Sequence, residues 1–198
     1  MTERRVGVSA ATRTGLAKSL VARVVIIGAT GSGKSMLAER LAARLGGDYV
    51  ELDALHWEPR WTEAAPEVFR ERVERATAGP CWVVAGNYSA VRDLVWPRAD
   101  TVVWLDYPFS LVLRRLTVRT LRRVLTREVL WNGNQESFWD HCRLWSETSL
   151  FNWLVKTYWA YRREFPRLFD QPAHAHLRIV RLRRPRDAES WLAGLASG

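Results

Sequence analysis

Two hydrophobic rhythms alternate along the chain. Arg23–Gly28, Tyr49–Leu52, Cys81–Ala85, Thr101–Leu105 and Leu177–Leu182 are short, dense apolar runs that predict buried strands. Between them the apolar spacing lengthens to the helical period. Lys34–Leu45 predicts a helix stopped by Gly46-Gly47, and Pro66–Thr77 carries Val68, Val73 and Ala76 among charges. Ser110–Val129 reads as a long arginine-rich helix, broken by a polar turn at Trp131–Glu136. Phe138–Trp145, Leu150–Phe165 and Asp187–Leu195 complete the helical set.

Strands alternating with helices predict a three-layer α/β domain around a parallel sheet of about five strands. Ligands in such sheets bind outside the carboxyl ends of the strands. Gly28, Asp53, Gly86-Asn87 and Asp106 all fall at those ends. Residues 1–21, ahead of the first strand, predict a flexible tail, and 22–198 a single domain.

The first strand runs into Gly28-Ala29-Thr30-Gly31-Ser32-Gly33-Lys34-Ser35, a complete G-x-x-x-x-G-K-[ST] phosphate loop. Glycines let the loop turn its N–H groups inward, and the helix that follows offers its positive end to the same anion. Lys34 would reach the β/γ-phosphates of ATP, Ser35 would ligate Mg²⁺, and Met36 adds a first-turn N–H.

Composition narrows the partners. The 198 residues carry a net charge of +9, with 30 Lys and Arg against 21 Asp and Glu. That excess favours an anionic partner: nucleotide, nucleic acid or acidic membrane surface. Cys81 and Cys142 form no disulfide framework, and no apolar run reaches the length of a membrane span, so a cytoplasmic setting is expected. No N-K-x-D or D-x-x-G motif of a GTPase occurs, and the chain is too short for a large motor ATPase. A small kinase remains, with a phosphate cradle, an acceptor pocket and a mobile arginine-bearing lid over about 114–150.

The phosphate loop, Glu51–Trp57, Gly86-Asn87-Tyr88, Trp104-Leu105-Asp106, the arginine helix and Leu130–Ser137 together resemble the small adenylate-kinase-like P-loop proteins. The similarity is greatest to those known as DNA-topology-modulation or adenylate-kinase-like ATP-binding proteins. It spans Val24 to Glu136, with a weaker echo in Ile179–Leu192. The resemblance implies a nucleoside-monophosphate-kinase-like fold, ATP with Mg²⁺, and a small phosphate acceptor such as a nucleotide or nucleoside. It also implies an adenine-side loop near Arg184. Where similar sequences often carry Asp ahead of Gly-Asn-Tyr, this chain has Ala85, leaving Asp53 and Asp106 as acidic candidates.

Each candidate has a physical role. Asp53 would accept the proton of an attacking hydroxyl, and Asp106, ending a Walker-B-like strand, would serve Mg²⁺ or start a helix. His56 is expected in a solvated loop or against substrate, and Trp57 in packing or stacked on a flat acceptor. Gly86, Asn87 and Tyr88 would let backbone and an amide approach the acceptor. Arg119 and Arg123, within the row Arg114 to Arg127, are the candidate transition-state arginines. The same row would suit a solvated basic face or a nucleic-acid backbone, the partner of the alternative reading as an ATP-dependent nucleic-acid-associated regulator.

Overall fold

A computed structural model describes residues 22–126, 129–134 and 150–195. The proposed N-terminal tail, the helix expected at Phe138–Trp145, Arg127 and much of the lid lie outside them. In chain order the elements are β1 (Arg23–Gly28), α1 (Lys34–Leu45), β2 (Asp48–Glu51), α2 (Leu52–His56), β3 (Trp57–Glu58) and β4 (Thr62–Glu63). Then follow α3 (Pro66–Ala76), β5 (Trp82–Ala85), α4 (Arg92–Val95) and β6 (Thr101–Leu105). The remainder is α5 (Phe109–Thr126), α6 (Leu150–Phe169), β7 (Arg178–Leu182) and α7 (Pro185–Gly194).

Five strands form one parallel sheet in the order β2-β5-β1-β6-β7. β1 is central, and its residues divide between the two faces. Val24 and Ile26 pack with Leu41 of α1, Leu116 of α5 and Leu192 of α7. Val25 and Ile27 pack with Phe69 and Val73 of α3 and with Phe165 of α6. Burial on both faces explains why these strands read as continuous apolar runs. The arrangement is the three-layer α/β P-loop domain expected from the sequence.

The differences are local. The second strand stops at Glu51, one residue before its expected end, and Asp53 lies in the short helix α2. Residues 57–63 form an antiparallel hairpin that the hydrophobic pattern does not signal. The helix expected to stop at Phe165 continues through Pro166 to Phe169. Within it Tyr158 and Phe165 are buried, whereas Trp153 is half exposed. A ring nitrogen of His174 lies 2.7 Å from the Leu168 carbonyl, and one of the exposed His176 lies 3.3 Å from the Trp96 carbonyl. No helix among the described residues is long and apolar enough to cross a membrane.

Candidate active site

The phosphate loop is held from three sides. From behind, Asn87 grips Gly28 with its side-chain amide: Oδ1 accepts the Gly28 N–H at 3.1 Å and Nδ2 donates to the Gly28 carbonyl at 2.7 Å. Asn87 is also a hydrogen-bond partner of the Tyr161 hydroxyl. This residue, expected against the acceptor, thus touches the cradle itself. From above, α5 lies directly on the loop. A Cβ on Gly31 would come within 3.0 Å of the Val112 carbonyl and 3.1 Å of Leu116, and the Gly31 φ of 79° suits glycine. From the lid side, Arg115 donates to the Ser32 carbonyl at 3.2 Å and Arg119 approaches the Thr30 hydroxyl at 3.5 Å.

The loop is chemically prepared for an anion. The first turn of α1 presents N–H groups that have no intrahelical carbonyl. Ser32 Oγ is buried without a hydrogen-bond partner. Lys34 donates from Nζ to the Ala29 carbonyl at 3.1 Å. Burial holds its ammonium below its ordinary pKa, against the pull of Asp53 and Glu51 in the other direction. A phosphate group would add counter-charge to that of Asp53 and Glu51 and further offset the burial of this lysine. Beside the loop, Arg114, Arg115, Val118, Arg119, Arg122 and Arg123 line an open groove of about 450 Å³ along α5.

Two carboxylates face the loop, and the sequence reading identified one. Asp53 accepts a hydrogen bond from the Tyr88 hydroxyl at 2.7 Å, and the Trp57 indole is a second partner of that hydroxyl. Burial and the Asp53 charge push the Tyr88 pKa far up, so Tyr88 stays a neutral donor. The residue missed is Glu51. It is buried, accepts from Tyr49 at 2.6 Å, and shares a hydrogen bond with Ser35. Burial, reinforced by Asp53, raises its pKa. Glu51 lies in register beside Ala85 on the neighbouring parallel strand, so the two side chains share a face of the sheet. An acid thus stands next to the position where Ala85 lacks one. The signal available in sequence was its place, two residues before Asp53 at the end of the strand.

The oxygens of Ser35 and Glu51, with Asp53 close by, suit Mg²⁺, which takes hard oxygen ligands and few carboxylates. A cation there would also relieve the buried Glu51 charge. Asp106 is placed differently. Its carboxylate, 1% exposed, is bound by Arg162 Nε at 2.8 Å and by Arg181 Nε at 2.9 Å and Nη2 at 2.5 Å. A metal would have to displace two guanidinium groups, and Arg162 and Arg181 were not singled out from sequence.

The remaining candidates divide. His56 is not in a solvated loop but packed against Trp57, Phe69 and Tyr88, with ring centroids 4.6–4.9 Å away. Gly86 is buried behind Leu52. Met36 is exposed, leaving its N–H as its contribution to the loop. Arg123 lies one turn beyond Arg119 and lines the same groove. Arg184 caps α7, its N–H donating to Asp187 at 2.9 Å, with an exposed side chain.

The chain matches no family model. It is 34% identical over 126 residues to a shikimate kinase of Paramagnetospirillum magneticum, covering 54% of this chain and 65% of that enzyme. It is 35% identical over 135 residues to the shikimate kinase of Geobacter metallireducens, covering 58% of this chain and 73% of that one. Among solved structures, a shikimate kinase from Bacteroides thetaiotaomicron superposes with a TM-score of 0.51 at 15% identity, over 89% of this chain and 97% of the other. The chain thus spans about two thirds of the curated relatives it matches. With its phosphate loop, its sheet order and 35% identity over most of the Geobacter enzyme, the chain belongs to the family of small P-loop kinases that includes the shikimate kinases.

Proposed function

We propose that the protein transfers the γ-phosphoryl group of ATP, in the presence of Mg²⁺, to a hydroxyl group of a small acceptor. The observation that carries this reading is the convergence of Lys34, Ser35, Glu51 and Asp53 at one strand-end site beside the arginine helix. The loop N–H groups and Lys34 bind the donor's phosphates. Ser35 and Glu51 would hold Mg²⁺, which when bound would supply positive charge to the donor's phosphates. Asp53 orients the acceptor hydroxyl and takes its proton as the oxygen attacks the γ-phosphorus and the bond to the β-phosphate oxygen breaks. Tyr88 fixes the Asp53 carboxylate for that task. Arg115 and Arg119, already directed at the loop, steady the charge on the group in transit.

The same orientation argues against the reading of the arginine row as a nucleic-acid surface, because two of its members are turned toward the cradle. Asp53→Asn is expected to lower phosphoryl transfer by about 10²–10⁴-fold, the range of a positioned general base, with little change in ATP affinity. Transfer from γ-labelled ATP, measured beside nucleotide binding, separates the two quantities. Equal transfer rates for variant and wild type would remove Asp53 from the chemistry. Loss of nucleic-acid binding with rising salt, unchanged in Lys34→Ala, would favour the regulator instead.

A further inference from the structure

β1 and β5 run parallel up to the pair Ile26 and Ala85, beyond which the Gly86 N–H still donates to the Ile26 carbonyl at 3.2 Å. A regular parallel ladder would continue at Gly28, whose N–H and carbonyl would both bond to the backbone of β5. Instead β5 ends at Ala85, and Gly86, with a φ of 142°, turns the chain away. The Asn87 side chain takes the vacated place, its amide meeting the N–H of Gly28 at 3.1 Å and the carbonyl at 2.7 Å. A side-chain amide carries the same donor and acceptor as the peptide it replaces, whereas an ionised aspartate carries acceptors alone. The Tyr161 hydroxyl, the further partner of this amide, stands on α6, where its ring stacks on Phe165 at 4.9 Å. On its other flank Gly28 pairs with Leu105 of β6, and a Cβ there would lie 2.8 Å from the Leu105 carbonyl.

We propose that Asn87 is a positioning residue of the phosphate loop: its amide extends the sheet by one side chain past the end of β5 and fixes the Gly28 peptide from which the cradle starts, with Tyr161 orienting that amide. The inference rests on the reading above only in that the cradle binds ATP; it is independent of the acceptor. A loop held in place before nucleotide arrives loses less conformational freedom on binding. Because both groups of the amide are engaged by Gly28, Asn87 acts through the loop rather than on the acceptor.

The test measures two quantities on the full chain: the Kd for ATP with Mg²⁺ by calorimetry, and hydrogen exchange of the Gly28 amide by NMR. Asn87→Ala is expected to raise Kd tenfold or more and to speed Gly28 exchange at least tenfold, with the Val25 amide unchanged. Asn87→Asp separates the two bonds. Its carboxylate still accepts the Gly28 N–H, so exchange stays slow, but the Gly28 carbonyl loses its donor and Kd rises at least tenfold. Tyr161→Phe keeps the ring on Phe165, removes only the hydroxyl, and is expected to raise Kd two- to fivefold. A merely structural role would lower Tm while leaving Kd and the Gly28 exchange at wild-type values, and that result overturns the proposal. So does an unchanged Kd for ATP with a raised KM for a phosphorylated acceptor, which would return Asn87 to the acceptor side. Failure of the wild type to label any acceptor from γ-labelled ATP, with the Kd and exchange pattern as expected, removes the kinase reading and leaves the positioning role standing.

Discussion

Asp106→Asn separates a structural carboxylate from a metal ligand. Asp106 is 1% exposed and holds two guanidinium groups, Arg162 on α6 and Arg181 on β7, whose side chains are 35% and 38% exposed. Arg162 also donates to the Tyr158 hydroxyl at 3.1 Å, and that hydroxyl donates to the Tyr107 carbonyl at 2.9 Å. Removing one partner of a fully buried ion pair costs about 3–5 kcal/mol. Here both arginines retain access to water and stay solvated once released, so the loss is discounted to about 2–3 kcal/mol. For a domain of this size that lowers Tm by roughly 4–12 °C. Thermal unfolding followed by circular dichroism measures it. In an Arg162→Met, Arg181→Met background the same substitution is expected to cost well under half as much, because the pairs it breaks are already gone. An unchanged Tm in the single variant, together with a large rise in the Mg²⁺ concentration needed for half-maximal ATP turnover, would refute the reasoning and return Asp106 to the metal.

Glu51→Gln is expected to reduce kcat/KM by about 10–100-fold and weaken the Mg²⁺ requirement's midpoint, read from Mg²⁺ titrations of phosphoryl transfer. Its stability effect has a definite sign with pH. The raised pKa of Glu51 means the folded state binds a proton more tightly than the unfolded chain. The wild type therefore loses stability as pH rises from the ordinary carboxylate range through the folded value, and the glutamine variant should gain on it between acid and neutral pH. A Tm difference independent of pH would remove Glu51 from the list of strained carboxylates. Gly86→Ala places a Cβ 2.8 Å from Leu52 Cβ at a φ of 142°, so a loss of about 1–3 kcal/mol is expected in urea unfolding, with wild-type stability as the contrary result.

The cradle was legible because its chemistry is local. Gly28 to Ser35 must be contiguous to wrap a phosphate, and both flanking elements, β1 and α1, begin and end where the periodicity places them. The hairpin at 57–63 was not legible, because what holds it is remote in sequence. Asn134 accepts the Trp61 N–H at 3.0 Å and donates to the Glu58 carbonyl at 2.9 Å, and Asn132 donates to the Trp57 carbonyl at 2.5 Å. Arg60, Trp61 and Asn132 all adopt positive φ at that junction, a backbone cost that tertiary bonds have to offset and that no local propensity announces.

Asp106 and Asn87 illustrate a second limit. Residue type and strand-end position admit both a ligand role and a scaffolding role, and the choice depends on which side chains arrive from far along the chain. Arg162 and Arg181, 56 and 75 residues away, claim Asp106; Gly28, 59 residues away, claims Asn87. Ala85 shows the converse. Considered along its own strand it is a missing acid, but the acid belongs to a sheet face rather than to a strand. In a parallel sheet the register brings Glu51 of β2 alongside Ala85 of β5, one strand spacing away, with its carboxylate on the Ser35 hydroxyl. A carboxylate at the end of β2 serves the cradle as one on β5 would, so a phosphoryl-transfer site can survive the loss at Ala85 provided Glu51 keeps its charge. On the proposed reading, that condition makes Glu51, ahead of Ala85, the carboxylate on which retention of Mg²⁺ depends.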